Sequence, residues 1–148
     1  MAFWGAPLND PEHAQNALKA ALDMQNITAR LRVEFKKIGL PEIHVGIGLN
    51  TGDMSVGDMG SEYRRAYTVL GDAVNLGSRL ESLTKFYGVE CLVSKSTKEQ
   101  CPDYNFRFID RVKVKGKSEP ITIYEPLQES KLLALTLKEE DDAYITAY

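Results

Sequence analysis

Tyr67-Thr68-Val69-Leu70-Gly71-Asp72-Ala73-Val74-Asn75-Leu76-Gly77-Ser78-Arg79-Leu80-Glu81 carries a β-favouring segment through a tight turn into an amphipathic helix. Thr68, Val69 and Leu70 favour a strand, Gly71-Asp72 interrupts it, and Asp72 is a suitable N-cap, so a helix is predicted from about Ala73. Leu76, Leu80, Leu83 and Tyr87 recur at three- and four-residue steps and form the core-facing stripe. Asn75, Arg79 and Ser82 fall on a neighbouring polar strip by the same spacing, so an amide and a guanidinium can act together. Gly77 costs roughly 1 kcal/mol against Ala inside a helix, which points to close packing of a backbone or a ligand there. On spacing alone, two readings stand: a solvated helix face, or a set of donors for a phosphorylated ligand.

Upstream, Asp10-Pro11-Glu12 supplies an N-cap, a first-turn proline and a first-turn carboxylate, and Gly39 with Pro41 supplies a stop. A long helix is therefore predicted from about Pro11 to Ile38, with Ala14, Ala17, Ala21, Met24, Leu31, Phe35 and Ile38 as its buried stripe. Ile43, Val45, Ile47 and Leu49 then alternate with His44, Gly46, Gly48 and Asn50, a strand with one apolar and one nearly bare face. Glycine in a strand marks close approach of another backbone or a ligand. Asn50 to Asp53 reads as a turn, Met54 to Val56 as a short strand, and Gly57 to Ser61 as a second turn or loop before the strand ending at Leu70.

Downstream, Glu90 to Val93 reads as a strand and Ser94 to Gln100 as a short helix capped by Ser94. Phe106, Phe108, Val112 and Val114 alternate with Arg107, Ile109, Arg111, Lys113 and Lys115, predicting a strand with the first set inward. Gly116-Lys117-Ser118 turns it into a hairpin partner, Ile121 to Tyr124. The order of elements predicts an α+β fold, with a mixed or antiparallel sheet backed by helices. Residues 128–148 read as a separate extension, helix-compatible from Leu132.

The 148 residues are 43% hydrophobic and 26% charged, the composition of a globular domain. A formal net charge of −3 and a pI near 5.4 argue against a nucleic-acid-binding surface, and an RNA-binding module is further disfavoured because no strand face interleaves aromatic and basic residues. No apolar run approaches the ~20 residues that cross a bilayer, and the N-terminus lacks a charged region followed by an apolar core. The expectation is a soluble, untargeted, cytoplasmic chain whose parent protein is anchored to a membrane or free. Cys91 and Cys101 lie in no metal-binding spacing and read as reduced structural residues. His13 and His44 have no ligand partners at metal spacing and read as non-catalytic.

The segment 67–81 resembles the signature of the class III nucleotidyl cyclases, the adenylate and guanylate cyclases, in which a helix delivers an Asn and an Arg four residues apart to a nucleoside triphosphate. Met1-Ala2-Phe3-Trp4-Gly5-Ala6-Pro7 resembles the end of the family's second metal-binding strand, and Val45-Gly46-Ile47-Gly48-Leu49-Asn50-Thr51-Gly52 resembles its next strand. Val56 to Glu62, Tyr87-Gly88-Val89 and Val114 to Pro120 follow in the family's order. The resemblance extends from Met1 to about Leu127, and implies a ferredoxin-like cyclase fold lacking its first strands and helices.

The implied reaction is attack of the ribose 3′-hydroxyl on the α-phosphorus, with loss of pyrophosphate. By the resemblance, Asn75 orients the ribose, Arg79 stabilises charge on the α-phosphate, Lys115 binds the terminal phosphates, and Thr68 occupies the purine-reading position in a form that favours ATP over GTP. The family uses Mg2+ or Mn2+ held by two aspartates. Those aspartates, and the purine-reading lysine, correspond to positions before Met1, and Asp53 and Asp58 match neither metal position. Family sites form between two cyclase domains, so the implied partners are ATP and a second cyclase domain, in a homo- or heterodimer. The expectation is a truncated adenylate cyclase domain that is inactive alone; the alternative is a non-catalytic, cyclase-like module that dimerises with and regulates a partner.

Overall fold

The computed structural model describes residues 1–114 and 118–128. The elements in order are helix α1 (His13–Lys37), strands β1 (Ile47–Leu49), β2 (Ser55–Ser61) and β3 (Arg64–Leu70), helix α2 (Asp72–Tyr87), strand β4 (Cys91–Ser94), helix α3 (Lys95–Glu99), and strands β5 (Asn105–Val112) and β6 (Ile121–Leu127). Four strands form one sheet in the order β1-β4-β6-β5, and β2-β3 is a separate hairpin. β1 runs parallel to β4, because α2 provides the crossover a parallel pair needs. β4-β6 and β5-β6 are antiparallel. The sheet is mixed, as the sequence predicts.

Alternation along the buried strand β4 divides the core in two. Cys91 and Val93 face one side with Ala14, Leu18, Ala21 and Cys101, and Leu92 faces the other with Leu76, Leu80, Val114 and Ile123. α1 thus covers one face of the sheet and α2 the other. α2 lies tight against β1 and its approach: a Cβ on Gly48 would stand 2.2 Å from the Glu81 amide nitrogen and 2.4 Å from the Gly77 carbonyl, and one on Gly46 would stand 2.2 Å from the Thr84 hydroxyl. What approaches the bare strand face is therefore a helix backbone.

Four expectations need correction. α1 buries Ala14, Leu18, Ala21, Gln25 and Thr28, whereas Met24 and Leu31 are 46% and 40% exposed and Ile38 is 69% exposed. The helix carries two apolar strips, and the described residues cover only one. The strand predicted from Ile43 is regular only over Ile47–Leu49, since Gln25 donates to the Val45 carbonyl (2.8 Å) and Arg32 to the Ile43 carbonyl (3.1 Å), bonds that tie the approach to α1. Gly57 to Ser61 is no loop: every residue from Ser55 to Ser61 pairs with β3. Finally, β5 shifts register between Phe108 and Asp110. A bulge there moves Ile109 inward onto the α2-side core and leaves Phe108 57% exposed. The predicted turn at Gly116-Lys117 and the helix from Leu132 lie outside the described residues.

Candidate active site

α2 is placed by its ends and by its apolar stripe. Gly71 takes the N-cap position at φ 144, a conformation that favours glycine, and no side chain caps the helix. Asp72 is therefore not the cap that the sequence predicts. It is the first helical residue, where its carboxylate complements the helix dipole. Gly88, left-handed at φ 64, ends the helix. Leu76 and Leu80 are buried, and Leu83 and Tyr87 pack against the same cluster. With the Gly48 contact, these residues fix the rotation of α2 about its axis.

That rotation sets the polar strip. Asn75 and Ser82 are exposed and Arg79 is half-buried, so Asn75 and Arg79 stand one turn apart on a side of the helix that is not the core. Neither residue lines either of the two main cavities. Thr68 is half-buried on β3, opposite Gly57, and its neighbour Val69 turns into the larger cavity. β3 runs through Leu70 and Gly71 directly into α2, which puts Thr68 and Asn75 on one continuous strand-turn-helix unit. Lys115 lies outside the described residues.

A polar cluster that the sequence reading took only for a turn and a cap steadies the start of α2. The Asn50 amide donates to the Ala73 carbonyl (2.9 Å), Ser96 donates to the Thr51 carbonyl (2.8 Å), and the hydroxyls of Thr51 and Thr97 lie 3.0 Å apart. Ser94 accepts from the Thr97 amide and so caps α3 as predicted. The cluster ties together the C-terminal ends of the parallel strands β1 and β4 and borders a cavity of about 510 Å3. Its signal in the sequence is that two strands joined by a helix crossover both end in small hydrogen-bonding residues.

Among the described residues, no three His, Cys, Asp or Glu side chains gather where a metal ion could sit. Asp53 borders the cavities, whereas Asp58 is exposed on β2 opposite Tyr67. A divalent magnesium or manganese ion needs converging oxygen ligands, and these two carboxylates do not form such a set. His44 lies 3.7 Å from Glu42 on the surface. Burial, with Glu125 nearby, pushes the Cys91 thiol up to about 12, and burial raises Cys101 as well. Neither is a nucleophile at neutral pH. Among the described residues, the α2 strip carries the hydrogen-bonding groups of Asn75 and Ser82 and the permanent positive charge of Arg79.

The model of the adenylate and guanylate cyclase catalytic domain matches residues 1–125. The chain belongs to this cyclase family. Adenylate cyclase 1 of Rhizobium meliloti is 38% identical over 125 residues, which are 84% of this chain and 19% of that protein. Adenylate cyclase of Anabaena cylindrica is 44% identical over 117 residues, 76% of this chain and 23% of that protein. The crystal structure of the guanylyl cyclase Cya2 superposes with a TM-score of 0.75 at 31% identity, covering 85% of this chain and 64% of that one. The chain thus spans about a fifth of the length of these curated relatives and under two thirds of the solved cyclase chain. The α+β architecture predicted from the sequence is that of cyclase catalytic domains. No helix among the described residues is long and apolar enough to cross a membrane.

Proposed function

We propose that this chain supplies the Asn-Arg half of an adenylate cyclase site that converts ATP to cyclic AMP and pyrophosphate for second-messenger signalling in the cytoplasm. The observation that supports the proposal is the placement of Asn75 and Arg79 one turn apart on a strip of α2 that lies beside the stripe packed into the described core and lines neither of the two cavities described above, with no metal-binding carboxylate cluster among the described residues. Such a strip needs a second surface to close a site over it. That surface is a second cyclase domain, which also brings the ligands for Mg2+ or Mn2+. Residues 1–127 form the catalytic portion and 128–148 an extension.

In the reaction the ribose 3′-oxygen bonds to the α-phosphorus as the bond to the pyrophosphate oxygen breaks. Asn75 holds the ribose so that the hydroxyl lies in line with that leaving oxygen. The planar, permanently charged fork of Arg79 binds the α-phosphate oxygens and stabilises the charge that gathers there in the transition state. Thr68 selects adenine, and Lys115 holds the terminal phosphates.

The purified chain given ATP and Mn2+ is expected to make no cyclic AMP. Mixed with a cyclase domain that keeps its metal carboxylates but has lost its own Asn-Arg pair, it is expected to restore synthesis, and Arg79→Ala in this chain should then lower turnover by roughly 10²- to 10³-fold. Synthesis by the chain alone would overturn the proposal. Indifference of the mixture to Arg79→Ala would favour the non-catalytic regulatory module.

A further inference from the structure

The first turn of α2 precedes the residues that anchor the helix. Gly71 holds the cap position with no side-chain cap, and the Val74 and Asn75 amides close back onto the Gly71 carbonyl at 3.1 and 3.3 Å. Leu76 is the first buried residue of the helix, and Asp72 and Asn75 before it are exposed. A helix start with no side-chain cap and little burial opens readily. Asn75 belongs to that turn, whereas Arg79 lies in the stretch between Leu76 and Leu80, both of which are buried. Held by its own backbone alone, the turn would let the Asn75 amide drift relative to the Arg79 guanidinium.

Asn50 reaches that turn from outside the helix. It follows β1 directly, and its side-chain amide donates to the Ala73 carbonyl at 2.9 Å, across 23 residues of sequence. A backbone carbonyl only accepts, so the amide nitrogen faces Ala73 and the amide oxygen faces away. On that other side the Ser96 hydroxyl, which donates to the Thr51 carbonyl at 2.8 Å, lies 3.4 Å from the Asn50 oxygen. Asn50 is thus steadied by α3 while it holds α2. Two glycines leave room for the approach. A Cβ on Gly77 would already touch the Asn50 Cβ at 3.9 Å, and one on Gly52 would stand 3.0 Å from the Ala73 Cβ.

We infer that Asn50 is a positioning residue of the cyclase reaction: through the Ala73 carbonyl it fixes where the first turn of α2 presents Asn75 relative to Arg79. The inference rests on the roles proposed above for Asn75 and Arg79, and adds a residue that acts on them through the helix. A misplacement of about 1 Å can lower a rate by roughly 10²-fold. Groups that contact substrate hold their geometry when the residues behind them are themselves locked by hydrogen bonds, and Asn50, set between α3 and α2, is such a residue.

The test compares Asn50→Asp with Asn50→Gln in the mixture with a cyclase domain that keeps its metal carboxylates but lacks its own Asn-Arg pair, and reads hydrogen exchange at single amides in the full chain. Asn50→Asp keeps the shape but turns an acceptor towards the Ala73 carbonyl. Expected are a kcat lowered roughly tenfold or more with little change in the KM for ATP, and faster exchange at the Val74 and Asn75 amides with exchange at Leu80 unchanged. Asn50→Gln keeps the donor on a longer arm, for which the cavities that Asn50 lines leave space, and should recover most of the lost turnover. A residue that served only the stability of the fold would lower the urea midpoint and leave kcat per folded chain unchanged. If Asn50→Asp does not fold, Asn50→Ala is measured in its place against the same expectations. Full synthesis by the Asn50→Asp mixture would overturn the inference and leave the Asn-Arg proposal standing. So would lowered turnover with exchange at Asn75 unchanged, or a loss in Asn50→Gln equal to that in Asn50→Asp. Indifference of the mixture to Arg79→Ala would remove the proposed site and this role of Asn50 together.

Discussion

At one edge of the sheet, β5 runs for eight residues, bulges at Ile109 and pairs along its length with β6. Arg107 there meets the buried carboxylate of Glu125 at 2.5 Å, and Asp110 accepts from the Tyr87 hydroxyl at 2.5 Å. At the other edge, β1 is three residues long and is held by β4 and by the backbone of α2, which lies over Gly48. The β5 edge is held by polar side chains that satisfy one another. The β1 edge is held by the fit of a helix against a strand without side chains on that face. The difference teaches that one edge is finished as a surface, while the other is shaped by close packing against a helix and has no second strand beside it among the described residues.

The comparison can be broken most directly at β1. Gly48→Ala would force a methyl group into the amide of Glu81 and the carbonyl of Gly77, atoms that cannot swing aside as a side-chain end could. The expected loss is about 3 kcal/mol or more, at or beyond the upper end of ordinary overpacking, read as a fall in the urea midpoint at unchanged slope. A loss well below about 1 kcal/mol would mean that α2 does not rest on β1 in this way. Because α2 also carries Asn75 and Arg79, the same substitution should disturb the polar strip.

At β5, Glu125→Ala removes the buried partner of a guanidinium that is itself partly exposed. Arg107 can recover water, so the expected loss is smaller, about 1–2 kcal/mol by the same urea measurement. Loss of the carboxylate also removes one of the two influences that raise the Cys91 thiol. Burial, the larger one, remains, so Cys91 should stay unreactive towards thiol reagents in the folded variant.

The smallest effect is expected at Tyr87→Phe, and it is a change in pH dependence. The Tyr87 hydroxyl, helped by the Arg111 amide, holds the Asp110 carboxyl below the usual carboxylate range. A group whose pKa is lower in the folded than in the unfolded protein stabilises the fold above its unfolded pKa, and that contribution is lost as pH falls through the folded pKa. Tyr87→Phe should therefore lower stability slightly at neutral pH and leave a shallower decline in acid, where the two chains converge. An acid limb identical to that of the unaltered chain would show that this hydrogen bond does not couple α2 to the β5 edge in solution.

Much of the fold is legible in the sequence wherever the signal is local. The strand into the helix at Leu70–Asp72, the Leu76, Leu80, Leu83 and Tyr87 stripe, the Ser94 cap and the final hairpin all follow from periodicity and capping chemistry that a short segment carries by itself. The Asn75 and Arg79 pair is legible for the same reason, since helical spacing alone puts them on one strip. The misreadings fall where a partner element decides. Gly57 and Gly60 look like loop residues until β3 supplies a full ladder of partners, and alternation in β5 predicts Phe108 inside until the bulge reverses its faces.

By itself, the sequence determined the kinds of element, their order, and the pair of donors on α2, because each depends on residues within a turn or two of one another. Only the tertiary structure decided what lies on the bare face of β1, which strip of α1 is buried, and that Gly71 and not Asp72 holds the cap position of α2. Each of these depends on contact between segments far apart in the chain, and in a close-packed interior a single Cβ or a one-residue bulge settles which arrangement fits.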